Sequence, residues 1–285
     1  MKHLLKFQIV FITLFLSLVP QYNNSKTEIE SGFFSKKSLA VGEELTYLVT
    51  YSFMELGEVR IKIRDKKEVN GKTYYSTIAY IDSYSGIPFV NIHQTYESNV
   101  SSLSADKAGG KAGDYYSYFF RGVNKEAEPF TYTDYYFNYD DHNVRVKKGR
   151  FSPAKIWTDS VGSINKFYQD GLSIFFYARM NCGQNKSVDV PCLVAEKKVF
   201  TKINFYNEIN DVSIDAVDYD IECVRLDGEM DFISIFGLTG HFEGWFTNDE
   251  ASIPVVAKMK VIIGNITLEL VNWKREGWQP PKFKD

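Results

Sequence analysis

The chain has 285 residues, 44% of them hydrophobic and 24% charged, with a formal net charge of −3. This length and apolar fraction suit one large domain or two small ones with a buried core, and the mildly acidic balance excludes a basic nucleic-acid-binding face. Aromatic residues reach 16%, with 22 Phe and 19 Tyr; such rings fit half-buried pleated surfaces, so the composition leans toward β structure.

In chain order, the first stretch reads as an address rather than as fold. Lys2 and Lys6 precede the apolar run FQIVFITLFLSLV, which ends at Pro20. A run this short is a poor bilayer span but a good secretory core behind a basic start. Residues 1–25 are therefore expected to be a signal peptide or an uncleaved N-terminal anchor, and the protein is expected to be exported to the periplasm or the cell surface. An exported chain meets an oxidising compartment, which raises the question of cysteine pairing. Cys182 and Cys192 flank the polar stretch GQNKSVDVP, and a bridge between them would add about 2–3 kcal/mol. Cys223 alternates with Tyr219 and Ile221 and reads as an inward-facing strand residue acting as a small hydrophobe.

From Glu43 onward the hydrophobic period is two. Leu45, Tyr47, Val49, Tyr51 and Phe53 alternate with polar residues, as do Val59, Ile61 and Ile63, which is the signature of half-buried strands. Asn70-Gly71 supplies the positive φ angles of a tight hairpin. Residues 43–83 thus read as a three-strand meander, with Gly57 as the break between the first two strands. Residues 104–114 carry three Gly and almost no apolar side chains and read as a loop. The Tyr- and Phe-rich stretches that follow read as further strands.

One segment breaks the period. In QDGLSIFFYARMNCG, Leu172, Phe175, Phe176 and Met180 fall at helical spacing, with Asp170 as N-cap and Gly183 as the stop. Strand patterns resume over 190–208, 214–227, 240–247, 253–263 and 266–274, with a hairpin at Gly264-Asn265. Residues 275–285 are Pro-rich and read as a loose tail. The expected architecture is mainly β: a single domain over residues 40–274, built as a curved antiparallel sheet or partly open β-barrel of about nine to twelve strands, with one short helix near residues 170–181.

The stretch GHFEGWFTNDEASIPV, residues 240–255, gathers His241, Glu243, Asp249 and Glu250. As a strand it sends Phe242, Gly244 and Phe246 to one face and His241, Glu243 and Trp245 to the other. Neighbours two apart on one face lie about 7 Å apart, too far for direct proton exchange. The sequence has no nucleophile elbow, zinc-protease helix or phosphate loop, and no stretch with metal-ligand spacing. No catalytic residue, metal or cofactor is expected.

Three blocks taken in order resemble a bacterial exported family catalogued as domain of unknown function 3108: GEELTYLVTYSFMELGEVRI, QDGLSIFFYARM and GHFEGWFTNDEASIPVVAKMKVIIGNITLELV. The matching positions are Gly42, Glu43, Leu45 and Tyr47; Asp170, Leu172, Ser173 and Arg179; and Trp245, Asn248, Asp249, Pro254 and Val255. The resemblance implies an envelope β domain and carries no activity. Arg179 has two readings: a cation at the helix C-terminus, or a guanidinium that reaches Asp249 and ties two of the blocks together.

Four functions compete. The first is a lipid or other apolar ligand held in the concavity of the sheet, against complete filling by the protein's own rings. The second is a glycan surface on Tyr115, Tyr116, Tyr118, Tyr132, Tyr135, Tyr136 and Tyr139, with Asp114, Asp134, Asp140 and Asp141 nearby. The third is a hydrolase using Glu243 and Asp249. The fourth is an assembly partner for other envelope proteins.

Overall fold

Alternation in the first strands sets the architecture: Leu45 and Tyr47 turn inward and are buried, while Glu44 faces out and pairs with Lys62 and Arg60 across the neighbouring strand. The structure, a computed structural model, describes residues 37–70, 72–88, 90–102, 115–232, 238–261 and 264–284. The leader expected over residues 1–25 lies outside them.

Among the described residues there are fourteen strands and one helix. The first half holds β1 (Glu44–Tyr51), β2 (Met54–Val69), β3 (Lys72–Ser83), β4 (His93–Ser102), β5 (Tyr115–Asn124), β6 (Thr131–Asn138), β7 (Asn143–Arg150) and β8 (Lys155–Ser163). The helix α1 (Ser173–Asn181) follows, then β9 (Lys186–Val194), β10 (Lys197–Val212), β11 (Ile221–Met230), β12 (Leu238–Thr247), β13 (Pro254–Val261) and β14 (Gly264–Lys274). All strands belong to one antiparallel sheet in the order β8-β7-β6-β5-β4-β3-β2-β1-β14-β13-β12-β11-β10-β9. The chain therefore meanders twice, and the first and last strands, β1 and β14, pair in the middle.

The sheet curls without closing its ladder. β8 and β9 are its two edges, and the segment between them carries α1. Gln169 bridges to Cys192 of β9 in parallel, with Gln169 N and Leu193 N each donating a backbone bond at 2.8 Å. Opposite, the β9–β10 turn reaches the far wall: Lys148 of β7 pairs with Glu196 at 2.7 Å, and Glu196 N donates to the Tyr135 hydroxyl of β6. The core lies inside this curl, with α1 packed into it through Leu172, Phe176 and Met180. The outer face of β2 carries Arg60, Lys62 and Arg64, each in an ion pair. That face is turned to water, the reverse of a barrel whose outer wall meets lipid.

Several expectations change. The strand count exceeds twelve because β4 and β8 lack the alternation that marks a core-facing strand, and because residues 190–208 hold a hairpin. That turn, Ala195-Glu196, puts two ordinary residues at positive φ, 47° and 59°. The segment 214–227 is strand only from Ile221. Gly57 lies inside β2 rather than at its start; the break falls at Ser52, whose φ is 56°. Glycine is required at 57 because a Cβ there would lie 2.2 Å from the Asp82 carbonyl oxygen of β3. Asn70 does adopt positive φ; Gly71 lies outside the described residues. Val261 pairs with Gly264, so Gly264 and Asn265 belong to β14 and not to the turn before it.

The C-terminal tail is docked rather than loose. Phe283 N donates to the Asp220 carbonyl and Glu222 N to the Pro281 carbonyl, Tyr219 donates to the Pro280 carbonyl, and Trp278 Nε1 donates to Asp249 at 2.6 Å. Proline removes donors from the tail, yet its carbonyls remain good acceptors, and these hold it along the start of β11. No disulfide forms either: Cys182, Cys192 and Cys223 are buried free thiols. The stretch between Cys182 and Cys192 is not a loop that folds back; β9 begins at Lys186 and carries Cys192 to a pairing with Val199, while Cys182 stays at the helix end against Ser252.

Candidate apolar cavity

The inward side chains of the central strands are buried unequally along their length. On β1, Leu45 and Tyr47 are buried while Val49 is half-buried; on β2, Ile63 and Ile61 are buried while Val59 is half-buried. β14 repeats the gradient, from buried Leu270 to half-buried Leu268 and Ile266. The filled end is the one at which β1 starts; the unfilled end is the one carrying the β1–β2, β3–β4, β11–β12 and β13–β14 connections. Between α1 and those connections lies a cavity of about 390 Å³, within the roughly 300–1,000 Å³ range of small-molecule sites.

The cavity exists because small residues meet where the curl would need large ones. Gly244 of β12 pairs with Ala257 of β13, Ala257 with Leu268 of β14, and Ala79 of β3 lies on the opposite wall. Phe242 and Phe246 flank Gly244 on the inner face as expected, and a Cβ at 244 would come within 3.0 Å of the Phe246 ring. Phe175 and Ala178 of α1, with Tyr47, make the floor.

The polar groups that reach this cavity are already engaged. Tyr47 donates its hydroxyl to the Pro254 carbonyl at 3.0 Å, and burial pushes its pKa well above the usual phenol value. Gln94 Nε2 donates to Glu126 at 2.8 Å. Asp170 accepts from Ser98 Oγ at 2.6 Å, Ser117 Oγ at 2.5 Å, Leu172 N at 2.7 Å and Ser173 N at 2.8 Å. Burial pushes its carboxyl above the usual range, and these four donors oppose that shift. Asp170 is thus the capping side chain of α1 although the helix boundary residue is Leu172, and Ser173 Oγ returns a bond from Asp170 N. Gly183 takes φ 76° just past the helix, where a glycine stop was expected.

α1 is held in the curl by a buried ion cluster. Arg179 donates to Glu43 Oε1 at 2.6 Å and Oε2 at 3.1 Å and to the Ala251 carbonyl at 2.8 Å; Arg275 donates to the same Glu43 Oε2 at 2.6 Å. Burial alone would raise the Glu43 carboxyl, but the two guanidiniums outweigh it and hold the pKa below the usual range. Lys37 adds a cation at the helix end, donating to the carbonyls of Cys182 and Arg179. Arg179 therefore does join blocks, but its acid is Glu43 and not Asp249. Asp249 is taken by Thr247 Oγ1, Ser252 N and Trp278 Nε1. Nothing in the sequence marked Arg275, Lys37 or Trp278.

The remaining motif positions are structural. Gly42 turns the chain at φ 86° before Glu43, and Val255 is buried. Trp245 lies on the outer face under Lys258, and Asn248 donates to Glu222. His241 and Glu243 are 3.7 Å apart on that outer face, beyond hydrogen-bond length, with Glu243 bound to Arg225 at 2.8 Å. Glu243 and Asp249 thus have separate partners and share no site. The tyrosines do not form a row: Tyr135 is buried and its neighbour Tyr136 exposed, as sheet alternation requires, and Tyr116 is buried against Tyr139 and Phe167 while Tyr118 is exposed. Asp114 lies outside the described residues. Among the described residues no cluster of His, Cys, Asp and Glu is placed to hold a metal ion.

Two solved structures are similar in part. A β-barrel-like protein of domain of unknown function DUF1849 from Brucella abortus is 12% identical, over 84% of this chain and 99% of that one, with a TM-score of 0.46. A putative exported protein with a YmcC-like fold from Bacteroides fragilis is 9% identical, over 84% and 98%, with a TM-score of 0.34. No curated protein matches the sequence. The family model for proteins of unknown function DUF3108 matches residues 46–271, from the first strand to the last and across the whole cavity, and this chain belongs to that family.

Proposed function

We propose that this protein is a non-catalytic envelope protein that binds a lipid, or another apolar ligand, in the concavity of its sheet. The observation that carries the reading is the cavity of about 390 Å³ lined by aliphatic and aromatic side chains, of which Val49, Val59, Ile266 and Leu268 remain only half-buried. Leaving such surface wet costs roughly 25 cal/mol per Å², and an apolar ligand recovers it. The engaged state of Tyr47, Gln94 and Asp170 leaves few polar groups to recognise a headgroup, so affinity rests on the apolar part of the ligand. The basic-then-apolar N-terminal stretch supports export, which would place the cavity among envelope lipids.

Native mass spectrometry on protein recovered from its own cell tests this. Co-purified lipid, or a mass shift on adding a single-chain fatty acid, is the expected result. A clean apo mass that no added lipid shifts would count against the reading.

A further inference from the structure

We propose that the cavity loads from a membrane, with the adjacent β1–β2 and β3–β4 connections docking on a zwitterionic lipid surface. This rests on the apolar-ligand reading above. The rim of the cavity carries exposed apolar side chains. Phe53, at the tip of the β1–β2 hairpin, is 94% exposed, the most open large apolar side chain among those described. Met54 beside it and Tyr84 after β3 are also exposed. The two tips touch: Tyr84 N donates to the Leu56 carbonyl at 2.9 Å, and the Tyr84 hydroxyl to Glu58. Phe53, Met54 and Tyr84 are therefore exposed on two adjoining tips.

The cavity wall begins a short way behind these tips. Val49, Val59 and Ile81, on the same three strands, line the cavity a few residues behind the tips. A ligand that prefers this wall also prefers a bilayer to water, so passage through water is the costly step. A tip bearing Phe and Met, with a tyrosine alongside, is suited to the interface between headgroups and acyl chains. Just behind the tips the acids Glu55, Glu58 and Asp82 are all exposed, with His93 facing Asp82; the first cation along the same face of β2 is Arg60, which reaches back toward Glu44. This acidic collar disfavours an anionic surface and selects a zwitterionic one.

The test uses the full chain carrying Phe53→Trp with phosphatidylcholine vesicles whose acyl chains are brominated. Emission from position 53, taken as the difference from the unsubstituted chain, should shift to the blue and be quenched. Phe53→Ser with Met54→Ser should lower the bound fraction at least about tenfold, and replacing part of the phosphatidylcholine by phosphatidylglycerol should weaken binding. Both substituted side chains are exposed, so folding is spared. An unquenched Trp at position 53 would overturn the docking proposal, as would Phe53-dependent dimers that vesicles do not dissociate. Because a soluble fatty-acid probe reads the cavity separately, loss of docking with retained probe binding leaves the ligand reading intact. Loss of probe binding with Trp quenching retained would refute the ligand reading instead.

Discussion

Arg179 on the helix donates two hydrogen bonds to the carboxylate of Glu43, 136 residues earlier, and both side chains are almost wholly buried. With the Ala251 carbonyl on the same guanidinium and Arg275 on the same carboxylate, this contact fixes the helix that forms the cavity floor. Residues from all three of the sequence blocks meet here, through Glu43, Arg179 and Ala251, and together they hold the helix in place.

Removing one member of the cluster leaves the others buried and unpaired. Glu43→Ala should cost about 3–5 kcal/mol in urea unfolding. Arg179→Met combined with Glu43→Leu should cost less than the sum of the two single changes, because neither charge is then left facing the other's empty place.

The same carboxylate sets an acid limit. The folded pKa of Glu43 lies below its ordinary value, so its contribution is complete above the unfolded pKa and disappears as pH falls through the folded one. Stability measured against pH should therefore decline on the acid side in the native chain, and Glu43→Gln should flatten that decline while lowering stability at neutral pH.

Asp170 works in the opposite sense. Burial raises its folded pKa, so the folded state is penalised as pH rises from the ordinary carboxylate pKa through the raised one. Asp170→Asn keeps an acceptor for Leu172 N and Ser173 N, and its amide meets hydroxyls that can rotate to accept. The stability difference between Asp170→Asn and the native chain should move in favour of the variant across that window and be constant outside it.

The three cysteines should be silent in the native state. All are buried; burial pushes the Cys192 thiol up to about 12 and Cys223 higher still, so these two hold little thiolate, and Cys182 is shielded from reagent by its burial. Alkylation without reductant should add nothing to the folded protein and three groups to the unfolded one.

Trp278 pins the tail through its indole N–H on Asp249 and an edge contact with Trp273. Trp278→Phe keeps the ring and loses the donor to a carboxylate, which should cost about 1.5–3 kcal/mol in thermal or denaturant unfolding.

Much of the fold was legible where apolar and polar residues alternate strictly, as in β1, β2 and β3. It was not legible in β4, where Ser98 holds an inward, buried position; Ser98 faces inward to bind Asp170, and a buried hydroxyl reads as a surface residue. β8 was missed because an edge strand exposed on both faces has no pattern to read. The helix was legible from its spacing and from Asp170, but its partner was not: an arginine at a helix end gives no sign of which distant carboxylate it meets. The cavity was anticipated only as a concavity. Its cause, the small side chains of Gly244 and Ala257 paired across β12 and β13 together with Ala79 of β3, depends on the register between strands and on the curl that brings β3 to the same cavity.

The most direct test of the account fills that space. Ala257→Trp puts an indole where Gly244 and Leu268 leave room, on a half-exposed position of β13. In titrations with a fluorescent single-chain fatty acid, the native protein should bind one equivalent, and Ala257→Trp should abolish binding with an unchanged far-ultraviolet spectrum. Equal binding by the two proteins, or none by either, would contradict the claim that the curled sheet is a ligand cavity.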